Sequence, residues 1–167
     1  QALDLLGRKL PKQQGRLFRN LVKAIERFTG GQKEHLVLGK AVGFFTEEVE
    51  RLKKLTMDLA MIGMSGDRRY PVLHATPYLE MIGNVTCAWL LLEQAVVAHD
   101  KLQALYLDRG ADDPEARTAL HRDDSEARFY FNKIETARFF VFNILPRNQS
   151  IAAQFDSKDR SALEFIP

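Results

Sequence analysis

The stretch "LGKAVGFFTEEVERLKKLTMDLAMIGM", residues 38–64, decides the fold. Leu38, Val42, Phe45, Val49, Leu52, Leu59 and Ile62 keep a nearly regular three-four spacing, with Leu55 beside the seam. Residues three and four apart share one face of a helix, so this row is the a/d pattern of a helix packed along its length. Glu47 and Arg51, and Glu50 and Lys54, stand four apart with Glu first, the favourable order for an exposed pair. The pattern predicts a helix over 33–64, which at 1.5 Å per residue spans roughly 48 Å.

Working outward, three more segments carry the same periodicity and none alternates with period two. Towards the N-terminus a helix is predicted over 14–28, with Leu17, Leu21, Ala24 and Phe28 as its apolar stripe and "TGG" at 29–31 as its end. "SGDRRYP" at 65–71 reads as a turn. A third helix is predicted over 77–107: Leu79, Ile82, Thr86, Trp89, Glu93 and Val96 mark one face, and the middle is apolar nearly all round, as in a central helix. Residues 108–125, with Gly110, Pro114 and five Asp, read as an exposed connection. A fourth helix is predicted over 126–155 on a seam of Tyr130, Ile134, Ala137, Val141 and Ile144. Pro146 must kink or break it, because proline lacks the N–H and clashes one turn back. "SKDRSALEF" suggests a short terminal helix capped at Ser157. Before all of these, "QALDLLGRKL" reads as helix through Leu3, Leu6 and Leu10 and stops at Pro11. The expected fold is all-α: an antiparallel up-and-down four-helix bundle with a short extra C-terminal helix.

Composition fits a globular chain. Of 167 residues, 46% are hydrophobic and 28% charged, and the net charge of +2 carries no global nucleic-acid signature. The charge is uneven: residues 1–33 hold eight Lys/Arg against two Asp/Glu. The single cysteine, Cys87, excludes an internal disulfide, fits a cytoplasmic location, and is expected as a buried thiol. The longest apolar run, "VTCAWLLL", is interrupted by Glu93 and Gln94, so no membrane span is expected. "NVT" at 84–86 and "NQS" at 148–150 match the glycosylation sequon but fall inside helical patterns.

The search for chemistry is mostly negative. A di-iron bundle needs Glu-x-x-His on two facing helices, yet Glu80, Glu93 and Glu135 are followed three residues on by Gly83, Val96 and Arg138. His35, His74, His99 and His121 form no HxxxH or HExxH pair, so no metal site is expected. There is no G-x-S-x-G elbow and no phosphate-binding glycine loop. No catalytic, cofactor-binding or metal residue is therefore assigned. Glu93 and Glu135 lie on apolar faces and are expected to pair with a facing helix, with Arg128 and Arg138 as candidate partners. The positive lead is Arg16, Arg19, Lys23 and Arg27, which form one basic stripe on the first long helix. Such a stripe serves either as an interaction face for an acidic partner or as a solvated helix face.

Three stretches together resemble a known family. "QALDLLGRKLP" is similar to the segment after the Tyr-Glu-Gly-Thr-x-Gly-Ile motif in a large subgroup of acyl-CoA dehydrogenases. "ATPYLEMIGNVTCAWLLLEQA" resembles the central helix of that subgroup's extra C-terminal domain. "FYFNKIETARFFVFNILPRNQSIAA" resembles its last helix, through Lys133, Ile134, Thr136, Ala137, Arg138, Phe139, Leu145 and Pro146. The resemblance implies a parent flavoenzyme that uses FAD to oxidise an acyl-CoA thioester to the 2,3-enoyl-CoA, with a Glu as base. That Glu and the flavin site would lie upstream of Gln1. Residues 1–10 would then end a helix continuing from the catalytic region, and 11–167 would be the appended bundle. FAD is expected in the parent and not on this chain. The expected partners are the upstream catalytic domains, acyl-CoA in the parent, and further copies in a homo-oligomer; no nucleic acid is expected. The expected role is packing on the catalytic domains, oligomer contacts or shaping the acyl-CoA site. The alternative is a free-standing helical module that binds an acidic partner through its basic face.

Overall fold

A computed structural model describes residues 1–166. All regular structure among them is helical, as expected. The elements are α1 (Ala2–Asp4, continued by a π-helical turn Leu5–Lys9), α2 (Lys12–Gln32), α3 (Gly39–Met64), α4 (Arg69–Leu73), α5 (Ala75–Arg109), α6 (Pro114–Asp123), α7 (Ser125–Phe139, continued by a π-helical turn Phe140–Ile144), α8 (Arg147–Asp156), and a 3-10 turn Ser161–Leu163.

The Leu38–Leu59 row builds the core. Leu38, Val42, Phe45, Val49, Leu52, Leu55 and Leu59 are all buried. Two contacts fix α3 antiparallel to α5: the His35 and His99 rings meet at 4.6 Å at one end, and the Thr56 and Tyr78 hydroxyls at 2.8 Å at the other. Lys133 to Gln94 and Asn84 to Asn148 set α7 and α8 antiparallel to α5. Gln149 to Glu48 and Lys54 to Asp156 run α8 alongside α3 in the same direction. The core thus sits among α3, α5 and the α7–α8 arm. α2 flanks α3, and α1 lies on α5.

Several boundaries differ from the sequence reading, each for a local reason. α3 starts at Gly39, not near Lys33. The imidazole Nδ1 of His35 accepts the backbone N–H groups of Val37 and Leu38, a side-chain turn that competes with the helix. A Cβ at position 39 would stand 2.9 Å from the Lys33 carbonyl oxygen, so the turn closes only on glycine. Gly30 and Gly31 do not stop α2, which runs to Gln32. The regular part of α2 begins at Arg16, because Gln13, Gln14 and Gly15 are all left-handed, with φ of 54°, 56° and 77°. The expected turn at 65–71 contains the start of α4, where Asp67 accepts the Tyr70 N–H.

The acidic connection 108–125 is not a loop. Gly110 ends α5 in the left-handed region. Asp113 then caps α6 by accepting the Ala116 N–H, with Pro114 in the first turn where no donor is needed. Asp124 caps α7 through Glu126 N–H and Ala127 N–H. Pro146 does break the last long helix: the π-helical turn absorbs the mismatch, with Leu145 N–H donating to the Phe140 carbonyl at 2.9 Å. The expected terminal helix is only the 3-10 turn. Ser157 donates back to the Gln154 carbonyl, and no side chain at Arg160 caps the turn that begins at Ser161.

The buried faces of α2 and α5 also differ from those expected. On α2 they are Val22, Ile25 and Thr29, one position round from the expected stripe, and Leu17 is exposed. On α5 they are Ala75, Tyr78, Met81, Val85, Ala88, Leu92, Ala95, Ala98, Leu102 and Tyr106; Ile82, Thr86, Trp89, Glu93 and Val96 form a half-buried flank, and Leu79 is exposed. Leu90 and Val97 are exposed, and so is Cys87, against the expectation of a buried thiol. α5 is longer than the sequence reading suggested. Its 35 residues, with a mean hydropathy of 1.4 over the most apolar window, suffice by length and composition to cross a bilayer. One face of that helix packs instead against α3 and α7.

Candidate interaction face

The four basic residues Arg16, Arg19, Lys23 and Arg27 all lie on the regular part of α2 and are all exposed. None of them makes an ion pair with a carboxylate among the described residues. Arg19 donates from its guanidinium to the Gln14 carbonyl, bracing the three left-handed residues that turn α1 into α2. Residues in that region cost roughly 1–2 kcal/mol each when they are not glycine, so the brace holds a strained bend.

The stripe has a fixed position relative to α3. Lys53 donates to Glu26 at 2.8 Å and to Glu50 at 2.7 Å, tying the exposed edges of α2 and α3 together. Both carboxylates favour the ammonium form and raise the Lys53 pKa. From this pair α2 runs back through Lys23, Arg19 and Arg16 and α3 runs on through Met57, Met61 and Met64, the antiparallel course expected of neighbouring helices joined by a six-residue turn. The three methionines are 63%, 59% and 88% exposed. The sequence reading missed this row, although a Met at positions i, i+4 and i+7, outside the Leu52–Leu59 seam, was a visible signal.

Other polar groups were also missed. Glu48 is 1% exposed, its Oε1 accepting from Gln149 at 3.0 Å and its Oε2 3.3 Å from Arg51 Nε. Its register with Phe45, Leu52 and Leu55 was the signal. His74 is packed between Tyr70 and Phe155, its Nε2 buried without a partner, and burial lowers its pKa. Burial lowers His35 too, with His99 adding repulsion. Tyr106 donates to or accepts from His121 Nε2 at 2.5 Å while His121 stacks on Phe131. Burial pushes the Tyr78 phenol up to about 12. Glu135 pairs with Arg138 at 2.8 Å on its own helix, not across helices, and Arg128 instead donates to the Arg122 carbonyl.

These groups are dispersed. Among the described residues no three His, Cys, Asp or Glu side chains converge as metal ligands. The groove between α3 and α8, about 370 Å³, is open and lined by Glu47, Glu50, Arg51, Lys54, Leu55, Ala152 and Asp156. It lacks a paired acid and base or a nucleophile with its base. The geometry therefore defines a class: an all-helical domain whose most distinctive charged cluster lies on the surface of α2.

The chain belongs to the acetyl-CoA dehydrogenase C-terminal-like family, whose model matches residues 21–165. It is 23% identical over 170 aligned positions to a butyryl-CoA dehydrogenase of Syntrophomonas wolfei subsp. wolfei (strain DSM 2245B / Goettingen). The match takes in 98% of this chain and 24% of that relative, in its C-terminal part. The chain thus spans about a quarter of the length of the curated relative it matches. The family match leaves α1 and the left-handed bend outside and takes in every helix of the core.

Proposed function

We propose that this chain is the helical C-terminal domain of a cytoplasmic, oligomeric acyl-CoA dehydrogenase and supports catalysis without performing it. The family match across all the core helices carries this reading. The name of the relative and its greater length agree with it. In the parent, FAD would accept a hydride from C3 of the acyl chain after a base removes the C2 proton. This chain's residues supply neither group. They supply rigidity: a core of interlocked helices and, outside it, uncovered apolar residues on α5 and α7. Leu90, Val97, Phe129 and Phe139 are all exposed, and exposed apolar surface of this extent suits contact with other protein. The catalytic domains and neighbouring subunits are the partners this reading gives them.

The test is expression of the complete coding region that contains this chain, beside residues 1–167 alone. The complete product should be yellow and reduce an artificial electron acceptor with a short-chain acyl-CoA; the chain alone should be colourless and inactive. Absence of flavin and of acyl-CoA oxidation in the complete product would overturn the assignment.

A further inference from the structure

The α2–α3 edge combines two features that the scaffold role does not require. The cations Arg16, Arg19, Lys23 and Arg27 have no carboxylate partner among the described residues. The methionines Met57, Met61 and Met64 stand exposed on the adjoining helix. The Lys53–Glu26 pair registers the two rows. Counting one residue per 1.5 Å in opposite directions from that pair, Lys23 stands about level with Met57, Arg19 with Met61 and Arg16 with Met64. On that count an apolar rail and a cationic rail run side by side for about 10 Å, two turns of helix.

We propose that this edge docks an acidic amphipathic helix of a partner protein, its apolar stripe on Met57, Met61 and Met64 and its carboxylates on Arg16, Arg19 and Lys23. A helix fits because both rails repeat at helical spacing, and methionine adapts to differing apolar side chains. Charge complementarity selects an acidic one. The carboxylates nearest the rails are already engaged, Glu26 and Glu50 by Lys53 and Asp58 by Lys54, so an incoming acidic helix meets uncompensated positive charge. An anionic membrane fits less well. The cations flank only one side of the apolar row, which suits the edge of a helix better than a flat anionic sheet.

The probe is a fluorescein-labelled synthetic helix of about five turns with Leu on one face and Glu on both flanks, titrated with residues 1–167 by fluorescence anisotropy. The same peptide with Lys in place of Glu is the control. Binding of the Glu peptide should saturate at micromolar protein, weaken with added salt, and exceed binding of the Lys peptide by about tenfold or more. Arg16→Glu with Lys23→Glu, and separately Met61→Asp with Met64→Asp, should each weaken it by about tenfold. Lys101→Glu, on exposed α5, should change nothing. All these positions are solvent-facing, and unchanged helical circular dichroism confirms that the variants fold. Equal binding of both peptides, no binding at millimolar protein, or indifference to the reversals would overturn the proposal. So would sedimentation with phosphatidylserine vesicles in place of peptide binding.

Discussion

α3 and α5 are the two longest helices; they pack on each other, yet they differ in how their buried faces arise. α3 carries polar residues on most positions outside its seam until Met57, so one face is favoured for burial, and from Leu38 to Leu59 the residues the spacing picks out are buried, with Ala41 and Glu48 beside them and Ile62 only half-buried. α5 is apolar nearly all round, and its buried face is chosen by its neighbours. Ala88, Ala95 and Ala98 face the core, where a larger side chain would hold the helices apart; Trp89, one position on, is turned to the flank. Contrast around a helix, more than hydrophobicity, makes a face legible.

The largest expected effect tests the α3 side. Phe45 is 0% exposed at the centre of the seam, so Phe45→Ala should destabilise by about 3–5 kcal/mol, read from denaturant midpoints. Overpacking tests the α5 side: Ala88→Leu should cost about 1–3 kcal/mol, although leucine is itself a good helix former, because the added carbons meet a fully buried contact. If Ala88→Leu were neutral, the small-residue face of α5 would not be set by close approach.

Trp89 falls next. A tryptophan in the core would cost about 3–5 kcal/mol on truncation; half-buried on the flank, with its indole N–H lacking an acceptor, it should cost about 2 kcal/mol. Trp89→Phe, which removes that N–H and keeps a ring, should be close to neutral. A full core-sized loss for the alanine variant would return Trp89 to the row first expected for it.

These comparisons also mark how far the sequence could be read. The all-α class, the seam of α3 from Leu38 to Leu59, the Ile134–Ala137–Val141 row of α7 and the break at Pro146 all follow from spacing and from proline chemistry. The α6 helix was hidden because Asp113-Pro114 is equally a turn signal and a helix start; only the downstream packing of Ala116 and Leu120 decides. The turn at 33–38 was hidden because its cause is a His35 side-chain bond to the backbone, which has no periodicity. Of the candidate interaction face, the cations were legible, since charge repeats along α2, and the spacing of Met57, Met61 and Met64 was visible as well. The placement of one row relative to the other was not, because it depends on the Lys53–Glu26 register between two helices.

The smallest effect concerns pH and lies where α4, the start of α5 and α8 meet. His74 is neutral between Tyr70 and Phe155, and burial holds its pKa below the ordinary histidine value. The unfolded chain therefore takes up a proton that the folded chain resists. Stability from this group is complete above about pH 6.5 and is lost as pH falls from there towards the lowered folded value. His35 and His121 are shifted in the same direction, so the domain as a whole should lose stability between about pH 7 and pH 5. The acidic groups around His74 do not reverse this: Asp67 is engaged by Arg160, and Asp156 by Lys54. His74→Phe keeps an aromatic ring in the cage and removes the titration, so the slope of unfolding free energy against pH should flatten while stability at about pH 8 changes little. An unchanged slope would mean that His35 and His121 carry the whole pH dependence and that the aromatic cage accommodates the imidazolium.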